Sequence, residues 1–109
     1  MRRVIIESPY AGDVARNTAY ARAAMRDCLL RGEAPYASHL LYTQPGVFDD
    51  TNPEERKGGI DAGLAWGDVA DVVAVYADLG VSEGMKYGIA LHEKEGRRIE
   101  YRSLDGWPS

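Results

Sequence analysis

The sequence predicts one α/β domain: a four-stranded parallel sheet with helices on both faces. Three observations carry that expectation. Short apolar runs alternate with longer segments of helical period, in the order β-α-β-loop-α-β-α-β. The run Asp71-Val72-Val73-Ala74-Val75-Tyr76 is apolar nearly throughout, as suits a central strand covered on both sides. Crossovers in such chains are right-handed, which makes the connected strands parallel.

Each element has a local reason. Val4-Ile5-Ile6 is a β-branched run stopped at Ser8-Pro9, and it reads as a buried strand. Asp13 can cap a helix from Val14 to Leu30, which Gly32 ends. Val14, Thr18, Ala21, Met25, Cys28 and Leu29 recur at helical spacing as its expected inner face, with Arg16, Arg22 and Arg26 largely off it. Ala34-Pro35-Tyr36-Ala37 is short and holds a proline, but its place after a helix makes it the second strand of a βαβ unit. Residues Ser38 to Asn52 have no period and read as a long loop, a kind that is usually functional or mobile. Thr51-Asn52-Pro53-Glu54-Glu55 starts a helix running to about Trp66: a capping residue, proline in the first turn, then acids at the positive end of the dipole. Ser82 to Glu95 reads as the third helix, closed by Gly96, and Arg98 to Arg102 as a half-exposed last strand. The tail from Asp105 to Ser109 carries no regular signal.

Composition narrows the class of partner. The chain has 109 residues, 45% of them hydrophobic and 28% charged, which suits one domain with one core. Its formal net charge of −4 argues against binding a nucleic-acid polymer, which needs a basic face. Small anions stay open, because a helix N-terminus holds them with backbone amides. Cys28 is the single cysteine, so no internal disulfide forms and a reducing compartment fits. The apolar run after Arg2 and Arg3 is too short for a signal peptide, and no stretch approaches the roughly 20 apolar residues of a membrane helix. A cytoplasmic protein with no membrane partner is expected.

Ligands in open parallel sheets bind beyond the C-terminal ends of the strands. That rule selects Glu7, Ser8, Pro9, Tyr10 and Gly12 after the first strand, and Ser38, His39 and Tyr42 after the second. After the third it selects Asp78, Gly80, Ser82, Glu83, Gly84 and Met85. In this last group Ser82 caps the helix and the glycines allow close backbone approach, so free amides of the first turn face the cleft. A plain serine-capped helix after a tight turn accounts for the same residues. The Walker spacing is absent. Ser8-Pro9-Tyr10 offers a hydroxyl and a phenol, or merely stops a strand. His39 is a candidate acid-base group or a structural hydrogen-bonder. Asn17 and Tyr20 reach the cleft or are solvated. Glu7, Asp61, Asp78 and Glu83 are the carboxylates that can face the cleft. His39, His92 and Cys28 make no metal-ligand spacing, so neither metal nor cofactor is expected.

Ser8-Pro9-Tyr10 after the first strand and Ala37-Ser38-His39-Leu40 after the second resemble a known family. So do Pro53-Glu54-Glu55-Arg56 with Gly59-Ile60, and Asp71 leading to Ser82-Glu83-Gly84-Met85. Across nearly the whole chain, the order and spacing of these motifs are similar to small phage and bacterial proteins related to the nucleoside 2-deoxyribosyltransferases and the deoxynucleoside 5′-monophosphate N-glycosidases. The resemblance implies a flavodoxin-like three-layer sandwich, with residues 1–109 as one nucleoside 2-deoxyribosyltransferase-like domain. It implies a nucleoside or nucleotide ligand, and a homo-oligomer whose neighbours complete the pocket. Ser82 and Gly84 match the turn that holds the 5′ end or its phosphate, and Ser8 and Tyr10 match residues that contact sugar and base. One position departs. The family's nucleophilic glutamate falls four residues after Gly84, at Gly88.

Three functions follow as expectations. The first is an N-glycosidase or deoxyribosyltransferase-like hydrolase, with Glu83, Asp78 or Glu7 for acid-base work and Tyr10 orienting the substrate. Ser8, Pro9, Tyr10, Asn17, His39, Asp78, Ser82, Glu83, Gly84 and Met85 would then form the ligand site. The second is a non-catalytic binder that sequesters or senses a nucleotide-like ligand, which Gly88 favours. The third is an interaction domain with a vestigial cleft, with Trp66, Trp107 and the long loop serving a subunit interface.

Overall fold

In the computed structural model, which describes residues 1–107, the chain opens with strand β1 (Arg3–Glu7), helix α1 (Val14–Leu30) and strand β2 (Ala34–Tyr36). A one-turn helix α2 (Ser38–Leu41), helix α3 (Pro53–Ala65) and a 3-10 turn (Trp66–Asp68) follow. Strand β3 (Val72–Tyr76), helix α4 (Glu83–Lys94) and strand β4 (Ile99–Arg102) complete the fold. The sheet order is β2-β1-β3-β4, with every pair parallel. This is the doubly wound α/β arrangement of flavodoxin-like proteins, in which the order reverses between β1 and β3. The tail passes through a turn at Asp105-Gly106. Pro108 and Ser109 lie outside the described residues.

The expected caps are made. The Asp13 carboxylate accepts from the Arg16 amide at 3.1 Å. The Asn52 side chain accepts from the amides of Glu54 and Glu55, and Pro53 opens the helix behind it. Alternation along the strands divides the core in two. Val4, Ile6, Val72 and Ala74 meet Tyr20, Ala24 and Cys28 of α1 on one face. Ile5, Val73 and Val75 meet Met85 and Ile89 of α4 on the other.

Three expectations need correction. The inner face of α1 is Asn17, Tyr20, Ala21, Ala24 and Cys28, while Val14 and Leu29 are exposed. The helix is rotated from the apolar stripe because its buried polar groups find partners. Tyr20 donates to Asp78 Oδ2 at 2.6 Å, and the Asn17 amide donates to the carbonyls of Tyr10 and Ala11. The long loop is not wholly irregular either, since its first four residues form α2. A single turn does not nucleate alone; it is held against α3 at Gly63, where an added Cβ would sit 2.5 Å from the Ser38 side chain. Finally, Trp107 is not a free interface residue. It is half-buried and packs edge-on against Tyr20, at 5.0 Å between ring centres, whereas Trp66 is exposed.

One polar cluster inside the fold bears on stability. Arg102 grips Glu33 with two parallel bonds of 2.8 and 2.9 Å, both side chains being 5% exposed or less. The same guanidinium donates to Tyr76 Oη and Glu100. Those Arg102 bonds hold the Glu33 carboxyl below its ordinary range, and with Arg2 they bring Glu100 down to about 2.

Candidate functional site

A cleft of about 210 Å³ opens beyond the C-terminal ends of β1 and β3, at the reversal of strand order. The end of β1 and the segment after it supply Glu7, Ser8 and Tyr10. From α2 come Ser38 and His39, and from α3 come Arg56, Ile60 and Gly63. The start of α4 contributes Ser82, Glu83, Gly84, Met85 and Gly88.

The α4 end of the cleft brings a capped helix start and a guanidinium together. Ser82 Oγ accepts from the Met85 amide at 3.3 Å, and the Ser82 amide meets Met85 Sδ at 3.4 Å. This cap fixes the first turn and leaves other early amides for a ligand. Arg56 reaches over the same turn: a Cβ placed on Gly84 would lie 3.3 Å from its Nη2. Asp50 holds the guanidinium from behind at 2.7 Å.

The opposite wall is polar but uncharged. Ser8 Oγ lies 2.7 Å from His39 Nε2. Burial pushes the His39 pKa down to about 4, so the ring is neutral at pH 7. Tyr10 meets His39 edge-on at 6.5 Å between ring centres. The Asn17 amide braces the Tyr10 and Ala11 carbonyls from below.

Glu7 stands between these walls. Its side chain is 16% exposed. A Cβ on Gly88 would lie 2.8 Å from its Oε2 and 3.0 Å from its Oε1, so the carboxylate fills the space beside that glycine. His92, one turn further along α4 and fully buried, directs Nε2 at Glu7 Oε1 across 3.6 Å.

The structure brings Ser8, Tyr10, His39, Ser82, Glu83, Gly84 and Met85 to one cleft, and leaves three expected site residues out of its lining. Asp78 is turned to structural use. It accepts from Tyr20 at 2.6 Å and from the Leu104 amide at 2.9 Å, tying the end of β3 to α1 and the chain after β4. Asn17 is 1% exposed and spends its amide on the loop carbonyls. Pro9 is buried where β1 ends. Glu83 lines the rim, but its side chain is 91% exposed and pairs with Lys86 at 3.2 Å. That geometry gives it no burial to shape its chemistry. Arg56 was absent from the expected site, although it sits in the Pro53-Glu54-Glu55-Arg56 motif. Its reach to α4 depends on how α3 packs, which spacing does not encode. Glu7 was one of four carboxylates with nothing in the sequence to rank it. Among the described residues, no group of three or more His, Cys, Asp or Glu could hold a metal ion, and no helix is long and apolar enough to cross a membrane.

A family model described as a domain of unknown function, DUF7768, matches residues 2–102. No curated protein matches. Among solved structures, the chain is similar to a 2-deoxyribosyltransferase from the psychrotolerant bacterium Bacillus psychrosaccharolyticus, described as a biocatalyst for nucleoside synthesis. The TM-score is 0.64 at 16% identity, over 98% of this chain and 76% of that one. At that identity the likeness is one of fold.

Proposed function

We propose that this chain, which belongs to the DUF7768 family, binds a nucleoside or nucleoside monophosphate in the cleft and cleaves its N-glycosidic bond. One observation carries the reading: a guanidinium, Arg56, stands against Gly84 in the first turn of a serine-capped helix. Free amides and a forked cation at one spot suit a phosphate or a sugar 5′-hydroxyl. Ser82 and Gly84 hold that end of the ligand, with Met85 beneath it. Ser8, Tyr10 and the neutral His39 meet the sugar and base across the cleft, as donors and acceptors for uncharged groups. Glu83 serves at the rim. The fold likeness to an enzyme of nucleoside synthesis supports the ligand class.

The cleft's size also matters. At about 210 Å³ it falls short of the roughly 300–1,000 Å³ of complete ligand pockets. A neighbouring copy closing over the mouth would supply the rest, so the working form is a homo-oligomer. We read it as a cytoplasmic protein of phage or bacterial type acting on a small molecule, with no nucleic-acid polymer, membrane or cofactor involved.

A binder without turnover is the second reading. Gly88, at the position where the resemblance places a nucleophile, favours it. A panel of deoxy- and ribonucleosides and their monophosphates separates the two. Binding is followed by calorimetry and free base by chromatography. Base release supports the enzyme, binding without release supports the binder, and neither across the panel sinks both.

A further inference from the structure

Three carboxylates line the cleft: Glu7, Asp50 and Glu83. Two are committed elsewhere. Asp50 is held by Arg56 at 2.7 Å, and Glu83 is out in solvent beside Lys86. Glu7 alone is largely buried and accepts no hydrogen bond among the described residues; the one basic side chain within 4 Å of it is His92. A carboxylate left in a cleft without a donor is costly to fold around, so its retention there asks for a use.

Its surroundings are specific. Gly88 is the residue of α4 that faces it, and any side chain there would drive Cβ to within 2.8 Å of Oε2. A glycine inside a helix costs stability relative to alanine. Here that cost secures the volume in which the carboxylate lies. Four residues on, on the same face of α4, His92 is fully buried and its Nε2 has no hydrogen-bond partner among the described residues. The other ring nitrogen, Nδ1, lies 2.9 Å from Arg97 Nη1. A guanidinium can only donate, so Nδ1 accepts and the ring proton is on Nε2. That N–H is the one aimed at Glu7. Arg97 is itself fixed by the Leu64 carbonyl at 3.2 Å and Asp68 at 2.6 Å.

We propose that Glu7 is the catalytic carboxylate of the cleft, with Gly88 making room for it and the Arg97–His92 pair as the positioning residues that orient it. The inference rests on the reading of the cleft as a nucleoside-type site. The step is hydrolytic. Glu7 Oε2 takes a proton from a water molecule as the water oxygen bonds to the anomeric carbon. The bond from that carbon to the base nitrogen breaks, and its electron pair leaves with the base. Glu7 then passes the proton to the base and is ionised again. One N-glycoside and one water give one free base and one free sugar. Oε1 keeps the His92 N–H beside it at 3.6 Å, longer than a hydrogen bond but of the right sign, and this attraction keeps the carboxylate's aim while Oε2 cycles.

The test compares wild type with Glu7→Gln, Gly88→Ala, His92→Gln and His92→Leu, all checked for folding by thermal melts. Nucleosides and their 5′-monophosphates are the probes, with binding and base release measured separately. A lost general base lowers rate by about 100- to 10,000-fold. Glu7→Gln should lose release on that scale and bind within a few-fold of wild type. Gly88→Ala should lose release too, because the new methyl group displaces the carboxylate while helix propensity favours the fold. His92→Leu should lower kcat with KM little changed, and His92→Gln, which can still offer an N–H to Oε1, should recover part of it. Release retained by a folded Glu7→Gln overturns the assignment. So does a wild type that binds without releasing base, and that result leaves the binding reading intact. A wild type that neither binds nor releases overturns both.

Discussion

Replacing Arg56 by alanine should weaken a nucleoside monophosphate far more than the matching nucleoside. The guanidinium is held within reach of the first turn of α4 by Asp50, with Nη2 3.3 Å from where a Gly84 side chain would begin. A hydrogen bond to a charged group contributes about 1.5–3 kcal/mol. At about 1.4 kcal/mol per tenfold, that is a loss of roughly ten- to a hundred-fold in monophosphate affinity. Asp50 pushes the same way, because without Arg56 its unpaired charge faces the incoming phosphate. The fold should be little affected, since partly exposed pairs of this kind contribute about 0–1 kcal/mol. Isothermal titration of one nucleoside and its 5′-monophosphate against wild type and Arg56→Ala gives four affinities. The prediction is a selective loss: ten-fold or more for the monophosphate, and no more than a few-fold for the nucleoside. Equal losses for both, or none for either, would refute the assignment of this corner of the cleft to the phosphate. Arg56→Lys should recover only part of the selectivity, because an ammonium lacks the fork.

Arg102→Leu should cost about 3–5 kcal/mol in urea denaturation, because it strands the buried Glu33 carboxylate; the double variant with Glu33→Leu should recover most of it, and a single variant within 1 kcal/mol of wild type would contradict the buried pair. His39 should titrate near pH 4 by proton NMR, where a midpoint near its ordinary 6.5 would contradict its burial. Its folded pKa lies below its unfolded one, so the unfolded chain binds more protons between the two, and stability should be level above about pH 6.5 and fall toward pH 4. His39→Asn should flatten that window. A second acid loss should follow from about pH 4.5 down to 2 as Glu100 is protonated away from Arg102, with Glu33, also held below its ordinary range, adding to it, and Glu100→Gln should shrink it. Ser82→Ala should cost about 1 kcal/mol through the lost helix cap, with no change in urea midpoint counting against that cap.

The layering of the fold was readable because its signals are local. The limits of α1 follow from Asp13 and Gly32, those of α3 from Asn52-Pro53, and β3 from its unbroken apolar run. The rotation of α1 was not readable. Tyr20 and Asn17 look like surface residues until Asp78 and the Tyr10 carbonyl are placed beside them; Asp78 comes from a distant part of the chain, and the Tyr10 carbonyl is brought over Asn17 only by the path of the loop after β1. Asp78 shows the converse. It follows β3 as a ligand residue should, yet a tyrosine from α1 claims it. The α4 turn was legible because a serine cap is a local pattern. Glu7 was legible only as one of four candidate carboxylates and Arg56 not at all, because their value depends on Gly88 and Gly84, glycines whose missing side chains matter only once two elements are packed together. The sequence presents Gly84 as a turn glycine and Gly88 as a missing nucleophile; the fold uses both as space.

A crystal structure with a nucleoside 5′-monophosphate bound tests the central claim most directly. The account predicts phosphate density between Arg56 and the amides of Glu83 and Gly84, with the anomeric carbon above Glu7 and the sugar against Ser8 and His39. Density elsewhere on the surface, or a phosphate turned toward Glu7 with the base at Arg56, would contradict it.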